Sequence, residues 1–224
     1  MRKSIVNPDE WSKVLSELEG EFHKLQSYDE TIIKHLGNIS GKRILDYGCG
    51  PAVAAKLLQQ LGADISVYEI SEKMLEIASA KLGESAVFHK VDDIPDNYYD
   101  IVWCSLVLCI VDETMIIEIM KNLEMKVSNS GKIYIGLCNP KIYDIEETNL
   151  DFRFPKGESY SCNHDYKKIK KEGNYEIIER HRPIEWYLKV IEDVDLKVSN
   201  ILFTPEYELK GFKIRDFIIF ELMK

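Results

Sequence analysis

The chain has 224 residues, a formal net charge of −9 and a hydrophobic content of 45%. The length suits one α/β domain, and the hydrophobic content excludes a disordered chain. The acidic balance disfavours a broad nucleic-acid interface, which normally depends on clustered Lys and Arg. No apolar run reaches the roughly 18 residues that span a bilayer, and the amino terminus lacks the apolar stretch of a secretion signal. We therefore expect a cytoplasmic protein with no membrane partner.

Two amphipathic segments precede the first predicted strand. Their apolar spacing predicts helices over Asn7–Leu18 and Asp29–Leu36, joined around Phe22, His23 and Tyr28. Together these helices are predicted to form an N-terminal cap.

An apolar strand over Arg43–Tyr47 runs directly into a glycine-rich turn. Gly48 and Gly50 flank Cys49 in this turn, and their missing side chains let a ligand approach the backbone closely. Ala52–Leu61 follows as an apolar helical run, so the turn opens onto a helix N-terminus. The unit of strand, turn and helix indicates a binding site for a small charged cofactor.

Two classes of cofactor compete for this turn. A dinucleotide fingerprint needs a glycine at the sixth turn position, where this chain has Val53, and Asp46 would repel a pyrophosphate. A carboxylate at that place suits a ligand with a positive amino group. A purely structural turn in an unrelated α/β protein is the remaining alternative.

A second strand, Asp64–Glu69, also ends in an acidic residue. Glu69 stands about 20 positions past the glycines, where a carboxylate binds ribose hydroxyls. Ile70 comes next and is placed to lie against an adenine face. Ser71 is predicted to cap the following helix, with Met74 on the inward side of that helix.

A third strand is predicted over Ala86–Val91 and leads into Asp92 and Asp93. An acidic loop alone is usually solvated surface. Acids at three successive strand ends, at these spacings, are poorly explained in that way.

The strand and turn resemble the first motif of the class I S-adenosylmethionine-dependent methyltransferases, commonly Asp-x-Gly-x-Gly-x-Gly. The chain matches this motif at Asp46, Gly48 and Gly50 and has Ala52 in place of the last glycine. The resemblance covers about Gly41–Cys138 strongly and the closing strands moderately. It implies S-adenosylmethionine as the cofactor, bound through its amino acid, sugar and base, and S-adenosylhomocysteine as a product.

The resemblance also implies roles at the third and fourth strand ends. An aspartate after the third strand accepts from the adenine amino group, and the next backbone amide meets a ring nitrogen. We assign these roles to Asp92 and Asp93, and the reverse assignment stays open. The fourth strand, Asp100–Ser105, ends at Cys104 and Ser105, whose backbone would hold the methionine amino group.

The alternation of elements predicts a Rossmann-like, doubly wound α/β fold. A helix over Thr114–Lys126 and a strand over Lys132–Cys138 continue the alternation and imply a parallel sheet covered on both faces. The closing strands, Val198–Thr204 and Asp216–Met223, resemble the last hairpin of the methyltransferase sheet. We therefore expect seven strands, mostly parallel, with an antiparallel last strand, and ligands beyond the carboxyl ends of the strands.

The segment after the fifth strand is long, irregular and rich in aromatic residues. Such a stretch inside a compact domain is usually a lid or binding loop, so we expect residues 139–183 to enclose the substrate. Tyr175–Arg182 within it alternates like an exposed strand. The predicted single domain therefore comprises a cap (1–40), a cofactor-binding core (41–138), this lid, and a C-terminal helix and strand hairpin (184–224).

Methyl transfer from a sulfonium is an in-line displacement that depends mainly on alignment of the reactants. A general base helps only when the acceptor is a hydroxyl or a protonated amine. His181 and His164 are the candidate bases because imidazole titrates near neutral pH, and a structural role is the alternative for both. Glu158, Asp144 and Tyr160 are further candidates.

The absence of two sequence motifs narrows the class of methyl acceptor. The segment Trp103–Leu106 lacks the Asn/Asp-Pro-Pro-Tyr loop of enzymes that methylate exocyclic amines of bases, and Cys104 does not follow a proline as in DNA cytosine C5 enzymes. The five cysteines form no Cys-x-x-Cys pair, so no metal site is predicted.

We therefore predict methyl transfer to an oxygen or nitrogen of a small-molecule acceptor, without a nucleic-acid partner. An RNA or protein methyltransferase and a non-catalytic S-adenosylmethionine-binding protein are the alternatives, with nicotinamide binding more distant. The sequence is silent on oligomeric state.

Overall fold

The computed structural model describes residues 22–145, 157–170 and 175–224 of the chain. Its strands, numbered in chain order, are β1 (Arg43–Tyr47), β2 (Asp64–Tyr68), β3 (Val87–Phe88), β4 (Tyr99–Ser105), β5 (Val127–Cys138), β6 (His164–Lys170), β7 (Tyr175–His181), β8 (Lys197–Phe203), β9 (Tyr207–Leu209), β10 (Phe212–Ile214) and β11 (Phe217–Met223). Its helices are α1 (Phe22–Leu36), α2 (Val53–Gln60), α3 (Glu72–Leu82), α4 (Glu113–Lys126) and α5 (Ile184–Asp193).

Seven of the strands form one sheet in the order β3-β2-β1-β4-β5-β11-β8. The pairs from β3 to β5 are all parallel, whereas β11 runs antiparallel to both of its neighbours. The predicted doubly wound sheet with an antiparallel last strand is therefore confirmed. The carboxyl ends of β1, β2 and β4 lie side by side at one edge of the sheet.

Two separate hydrophobic cores cover the two faces of the sheet. Successive residues of a strand point to opposite faces, so Ile44 enters the core under α1 and α2 while Leu45 enters the core under α4 and α5. Both side chains are fully buried. Burial on both faces explains why the parallel strands read as continuous apolar runs.

Two strands differ from the prediction by three or more residues at one end, whereas the other predicted strands differ by a single residue at most. The third strand was expected over Ala86–Val91, but only Val87–Phe88 pairs with β2, because this edge strand soon turns into a 3-10 helix ending at Asp93. The fifth strand begins at Val127 rather than Lys132, and an irregularity in its pairing with β4 accommodates the extra residues.

The N-terminal helix α1 is longer than predicted, since it begins at Phe22 instead of Asp29. Tyr28 and Ile32 anchor it in the core, with 1% and 0% of their surface exposed. The predicted helix over Asn7–Leu18 lies outside the described residues. Within the described part of the chain, no helix is long and apolar enough to span a bilayer.

The segment between β5 and α5 contains a two-stranded sheet of its own. Strands β6 and β7 pair antiparallel, with His164 opposite His181. This hairpin gives the predicted lid a regular element, and β7 corresponds closely to the predicted strand Tyr175–Arg182. The backbone amide of Arg180 donates to the carbonyl of Cys109 at 3.0 Å, so the hairpin lies against the segment that follows β4.

Candidate cofactor site

The turn after β1 needs glycine for two separate reasons. Gly48 and Gly50 have φ angles of 80° and 52°, in the left-handed region that favours glycine. A side chain at Gly48 would also overlap Val107, which packs against the turn from beyond β4. The amides of Gly48 and Cys49 both donate to the carbonyl of Tyr68, which joins the turn to the end of β2.

Ala52 occupies the position of the last glycine in the family motif. Its φ is 56°, so the backbone keeps the left-handed conformation that the glycine would favour. A non-glycine residue in this conformation costs roughly 1–2 kcal/mol. The departure seen in the sequence therefore leaves the course of the turn into α2 intact.

The Glu69 carboxylate ties the glycine turn to the end of β2. One oxygen accepts from the amide of Gly50 at 2.9 Å, and the other accepts from the amide of Ser71 at 3.0 Å. An ionised carboxylate has about four acceptor positions, so its orientation is fixed while acceptor capacity remains for a ligand.

The residue after Glu69, Ile70, presents an exposed apolar side chain beside the Glu69 carboxylate. Ile70 is 59% exposed. Ser71 accepts from the amide of Met74 at 3.4 Å, so the predicted cap of α3 is confirmed. Met74 is buried beneath the start of this helix.

Asp92 and Asp93 lie in the 3-10 turn after β3, and both are exposed. The amide of Asp93 already donates to the carbonyl of Lys90 at 3.2 Å within this turn. The side chains thus face solvent at the same sheet edge as Glu69, whereas the Asp93 amide is engaged locally.

Asp46 is the buried carboxyl group of the site. It is 4% exposed and lies on β1 opposite Val67 of β2 and Trp103 of β4. Burial raises the pKa of Asp46 to about 8, and the negative charges of Asp29 and Glu69 add to this effect. Burial also raises the pKa of Asp29, on α1, to about 6.

Neither carboxylate of this pair is compensated. In residues 22–145, 157–170 and 175–224, no group donates a hydrogen bond to the side chain of Asp29 or Asp46, and no cation lowers either pKa. Burying a charge without a partner is costly, so Asp46 holds a proton at neutral pH in the free protein, and a positively charged ligand would favour its ionised form.

The end of β4 is held by hydrogen bonds to Ser105. Its hydroxyl lies 2.6 Å from the hydroxyl of Tyr28 and also accepts from the indole of Trp103. Cys104 is fully buried, and burial raises the pKa of its thiol. These side chains are thus occupied by packing, which leaves the backbone at the strand end for any ligand contact.

The two histidines face each other across the hairpin of β6 and β7. Nε2 of the buried His181 lies 2.8 Å from the carbonyl oxygen of Tyr160, and Nδ1 of His164 lies 2.8 Å from the Glu158 carboxylate. The structure therefore places both histidines on the hairpin within the predicted lid. The residues predicted to bind the cofactor lie instead at, or just after, the carboxyl ends of β1 to β4.

Sequence reasoning missed two residues of this site. Asp29 reads as an ordinary first-turn acid of a helix, and Val107 reads as part of an apolar run. Both reach the site through tertiary packing, which the predicted N-terminal cap did not resolve to single residues. Among the described residues, no group of His, Cys, Asp and Glu could hold a metal ion, and the cysteines form no disulfide.

Residues 45–135 match the family model described as a methyltransferase domain. Together with the sheet order and the acidic, glycine-rich strand ends, this match identifies residues 45–135 as a methyltransferase domain of the class I S-adenosylmethionine-dependent type. S-adenosylmethionine is the cofactor of the class.

Among curated relatives, a ubiquinone biosynthesis O-methyltransferase from Bordetella avium is 33% identical over 98 residues, which span 38% of this chain and 41% of that enzyme. The enzyme of the same name from Aeromonas salmonicida is 26% identical over 171 residues, 68% of each chain. The chain thus spans less than half of the Bordetella enzyme.

Solved structures share the fold at low identity. A putative S-adenosylmethionine-dependent methyltransferase from Listeria monocytogenes has a TM-score of 0.62 and 17% identity, over 88% of this chain and 97% of that chain. The glycopeptide N-methyltransferase MtfA, complexed with S-adenosylmethionine, has a TM-score of 0.65 and 13% identity, over 88% and 92%.

Proposed function

We propose that the protein transfers a methyl group from S-adenosylmethionine to an oxygen or nitrogen atom of a small organic acceptor. The observation that carries the proposal is the buried, uncompensated carboxylate of Asp46 beside a turn of bare backbone. The cofactor, when bound, supplies an electrophilic methyl group on a sulfonium sulfur. The residues of the chain bind it, orient it and align the acceptor.

The cofactor side of the site divides into three parts. Asp46 provides the negative charge for the α-ammonium, and Glu69 provides acceptors for the ribose hydroxyls from the position fixed by Gly50 and Ser71. The exposed face of Ile70 offers apolar surface to the adenine. The remaining proposed contacts come from the backbone of the turn and strand ends and from the loop after β3: Gly48, Cys49, Met74, Asp92, Asp93, Cys104 and Ser105.

Contacts made by the predicted lid favour an acceptor site next to the end of β4. Asn163 donates to Glu113 at 2.8 Å, and Arg182 donates to the carbonyl of Val111 at 3.2 Å. These contacts join the predicted lid to the start of α4 and to the segment between β4 and α4. A substrate bound beyond the end of β4 would therefore lie between this segment and the lid.

A small acceptor is favoured over RNA or protein for two reasons. The net charge of −9 disfavours a polyanionic substrate. The similar proteins from Bordetella and Aeromonas are named for an O-methyltransferase of ubiquinone biosynthesis, which acts on a small molecule. The identity of the acceptor for this chain is not assigned by that name.

His164 and His181 remain the proposed bases for a hydroxyl acceptor. The Glu158 carboxylate accepts from Nδ1 of His164, which makes Nε2 the basic nitrogen of that ring. The carbonyl of Tyr160 accepts from Nε2 of His181, which makes Nδ1 the basic nitrogen there. His181 is only 2% exposed, so His164 is the more accessible of the two.

The test is product formation. Purified protein is incubated with S-adenosylmethionine and a panel of small phenols, carboxylates and amines, and S-adenosylhomocysteine is measured. We expect the product with at least one small acceptor and none with RNA or protein extracts. Cofactor binding without turnover on any acceptor would support the non-catalytic alternative, and turnover only with RNA or protein would support the macromolecular one.

A further inference from the structure

We propose that Asp29, on the N-terminal helix α1, is a second carboxylate for the α-ammonium of the cofactor, so that this group is held between Asp29 and Asp46. The inference rests on the proposed function and extends it by a residue outside the sheet. It gives α1 a direct part in cofactor binding in addition to covering the sheet.

The position of Asp29 is fixed by its neighbour in sequence. Tyr28 is 1% exposed, and its hydroxyl lies 2.6 Å from the hydroxyl of Ser105 at the carboxyl end of β4. The next residue of the helix is therefore held over the same edge of the sheet, where β4 lies beside β1 and Asp46. Asp29 is itself partly buried there.

The electrostatics agree with this position. The charge of Asp29 raises the pKa of Asp46, and its effect is larger than that of Glu69. In the described part of the chain, the titratable groups that share this region are all neutral or acidic: Tyr28 on α1, Asp46 on β1, Cys49 in the turn, Glu69 after β2 and Cys104 on β4. Two carboxylates that repel each other in a buried place would both be stabilised by one shared cation.

An ammonium group fits this place better than a metal ion. The described residues contain no cluster of three or more ligands for a metal. An ammonium has three N–H donors, enough to bind both carboxylates and one further acceptor. Asp29 would thus strengthen the binding of ligands that carry the amino-acid portion and would not affect the binding of the nucleoside portion.

The experiment compares three ligands by titration calorimetry at pH 7. S-adenosylmethionine and S-adenosylhomocysteine carry the α-ammonium, whereas 5′-methylthioadenosine lacks the amino-acid portion altogether. We expect Asp29→Asn to weaken binding of the first two by about tenfold, or 1.4 kcal/mol, and to change binding of the third by less than twofold. The matched control is Glu30→Gln, because Glu30 is the next residue of α1 and is exposed.

Each result bears on a separate claim. Unchanged affinity of Asp29→Asn for S-adenosylhomocysteine, with a wild-type thermal midpoint, would overturn the role of Asp29 alone. A loss confined to S-adenosylmethionine would place Asp29 at the sulfonium and would also overturn it. If the wild-type protein binds none of the three ligands, both this inference and the proposed function fail. Asp29→Ala, measured in parallel, shows whether an effect of Asn arises from its new amide donor.

Discussion

Tyr28 of α1 and Gly136 of β5 are in direct contact, and a side chain at position 136 would overlap the Tyr28 hydroxyl and ring. The backbone φ of Gly136 is not in the left-handed region, so glycine is required here for space and not for conformation. This missing side chain lets the Tyr28 hydroxyl reach Ser105 and so holds the middle of α1 over the sheet edge. The N-terminal helix and the cofactor site are linked through this contact.

Gly136→Ala should therefore destabilise the protein and weaken cofactor binding together. Overpacking of this kind costs about 1–3 kcal/mol, because Tyr28 must move and α1 with it. Chemical denaturation measures the stability, and calorimetry measures the affinity. In a Tyr28→Ala background the added methyl group has room, so Gly136→Ala should cost much less there. Equal destabilisation by Gly136→Ala in both backgrounds would show that contact with Tyr28 is not the reason why position 136 needs glycine.

Glu69→Gln should weaken the binding of any ligand that carries the ribose. The Gln side chain presents an NH₂ group to the amide of Gly50 or Ser71, which leaves one backbone donor without an acceptor at a cost of about 1–3 kcal/mol. Unlike Asp29→Asn, this change should reduce affinity for 5′-methylthioadenosine as well as for S-adenosylhomocysteine. Glu72→Gln, at an exposed position in the first turn of α3, is the control. A normal affinity for 5′-methylthioadenosine in Glu69→Gln would argue against a ribose contact.

The contrast between Glu69 and Asp29 shows what the sequence can reveal. Glu69 ends a short apolar strand and precedes a helix cap, so local periodicity and spacing were enough to place it. Asp29 depends on the packing of Tyr28 against Gly136, a contact between segments far apart in the chain. The hairpin of β6 and β7 was missed as a pair for a similar reason, since only β7 alternates clearly and pairing depends on the partner strand.

Asp46→Asn should raise the stability of the free protein while weakening cofactor binding. The pKa of Asp46 is raised to about 8 in the folded state, so the folded protein holds a proton that the unfolded chain loses near pH 4. The stability of the free protein therefore falls as the pH rises from about 4 to about 8. Asn removes that loss, so the thermal midpoint at pH 8 should exceed that of the wild type.

Because its pKa is raised, Asp46 should release a proton when the cofactor binds. An ammonium favours the ionised form of Asp46, so at pH 7 binding should expel a proton from the wild type and less than half as much from Asp46→Asn. Calorimetry in buffers of different ionisation enthalpy measures this release. Affinity should rise from pH 6 toward pH 8 and fall above it, since an α-amino group titrates at about 8. Proton uptake by the wild type would contradict an ammonium ligand for Asp46.

Glu221 of β11, which lies away from the candidate cofactor site, should make the stability of the protein sensitive to acid. Burial alone would raise its pKa, but hydrogen bonds from Lys132, His35, Ser199 and Tyr134 outweigh burial and lower the pKa to about 2. A lowered pKa contributes stability that is present above the ordinary value near 4.5 and is lost as pH falls toward 2. The contribution is roughly 3 kcal/mol, since one pKa unit is worth about 1.4 kcal/mol.

Glu221→Gln should therefore destabilise the protein at pH 6 and flatten the loss of stability between pH 4.5 and pH 2. Unfolding by urea across this range measures both effects. The matched control is Glu206→Gln, because Glu206 also pairs with cations but does so at the surface, where ion pairs are worth about 0–1 kcal/mol. Because His35 lies on α1, the Gln variant should also loosen the helix that carries Asp29, and amide exchange in α1 should quicken. An acid profile in Glu221→Gln as steep as that of the wild type would mean that other carboxylates control the transition.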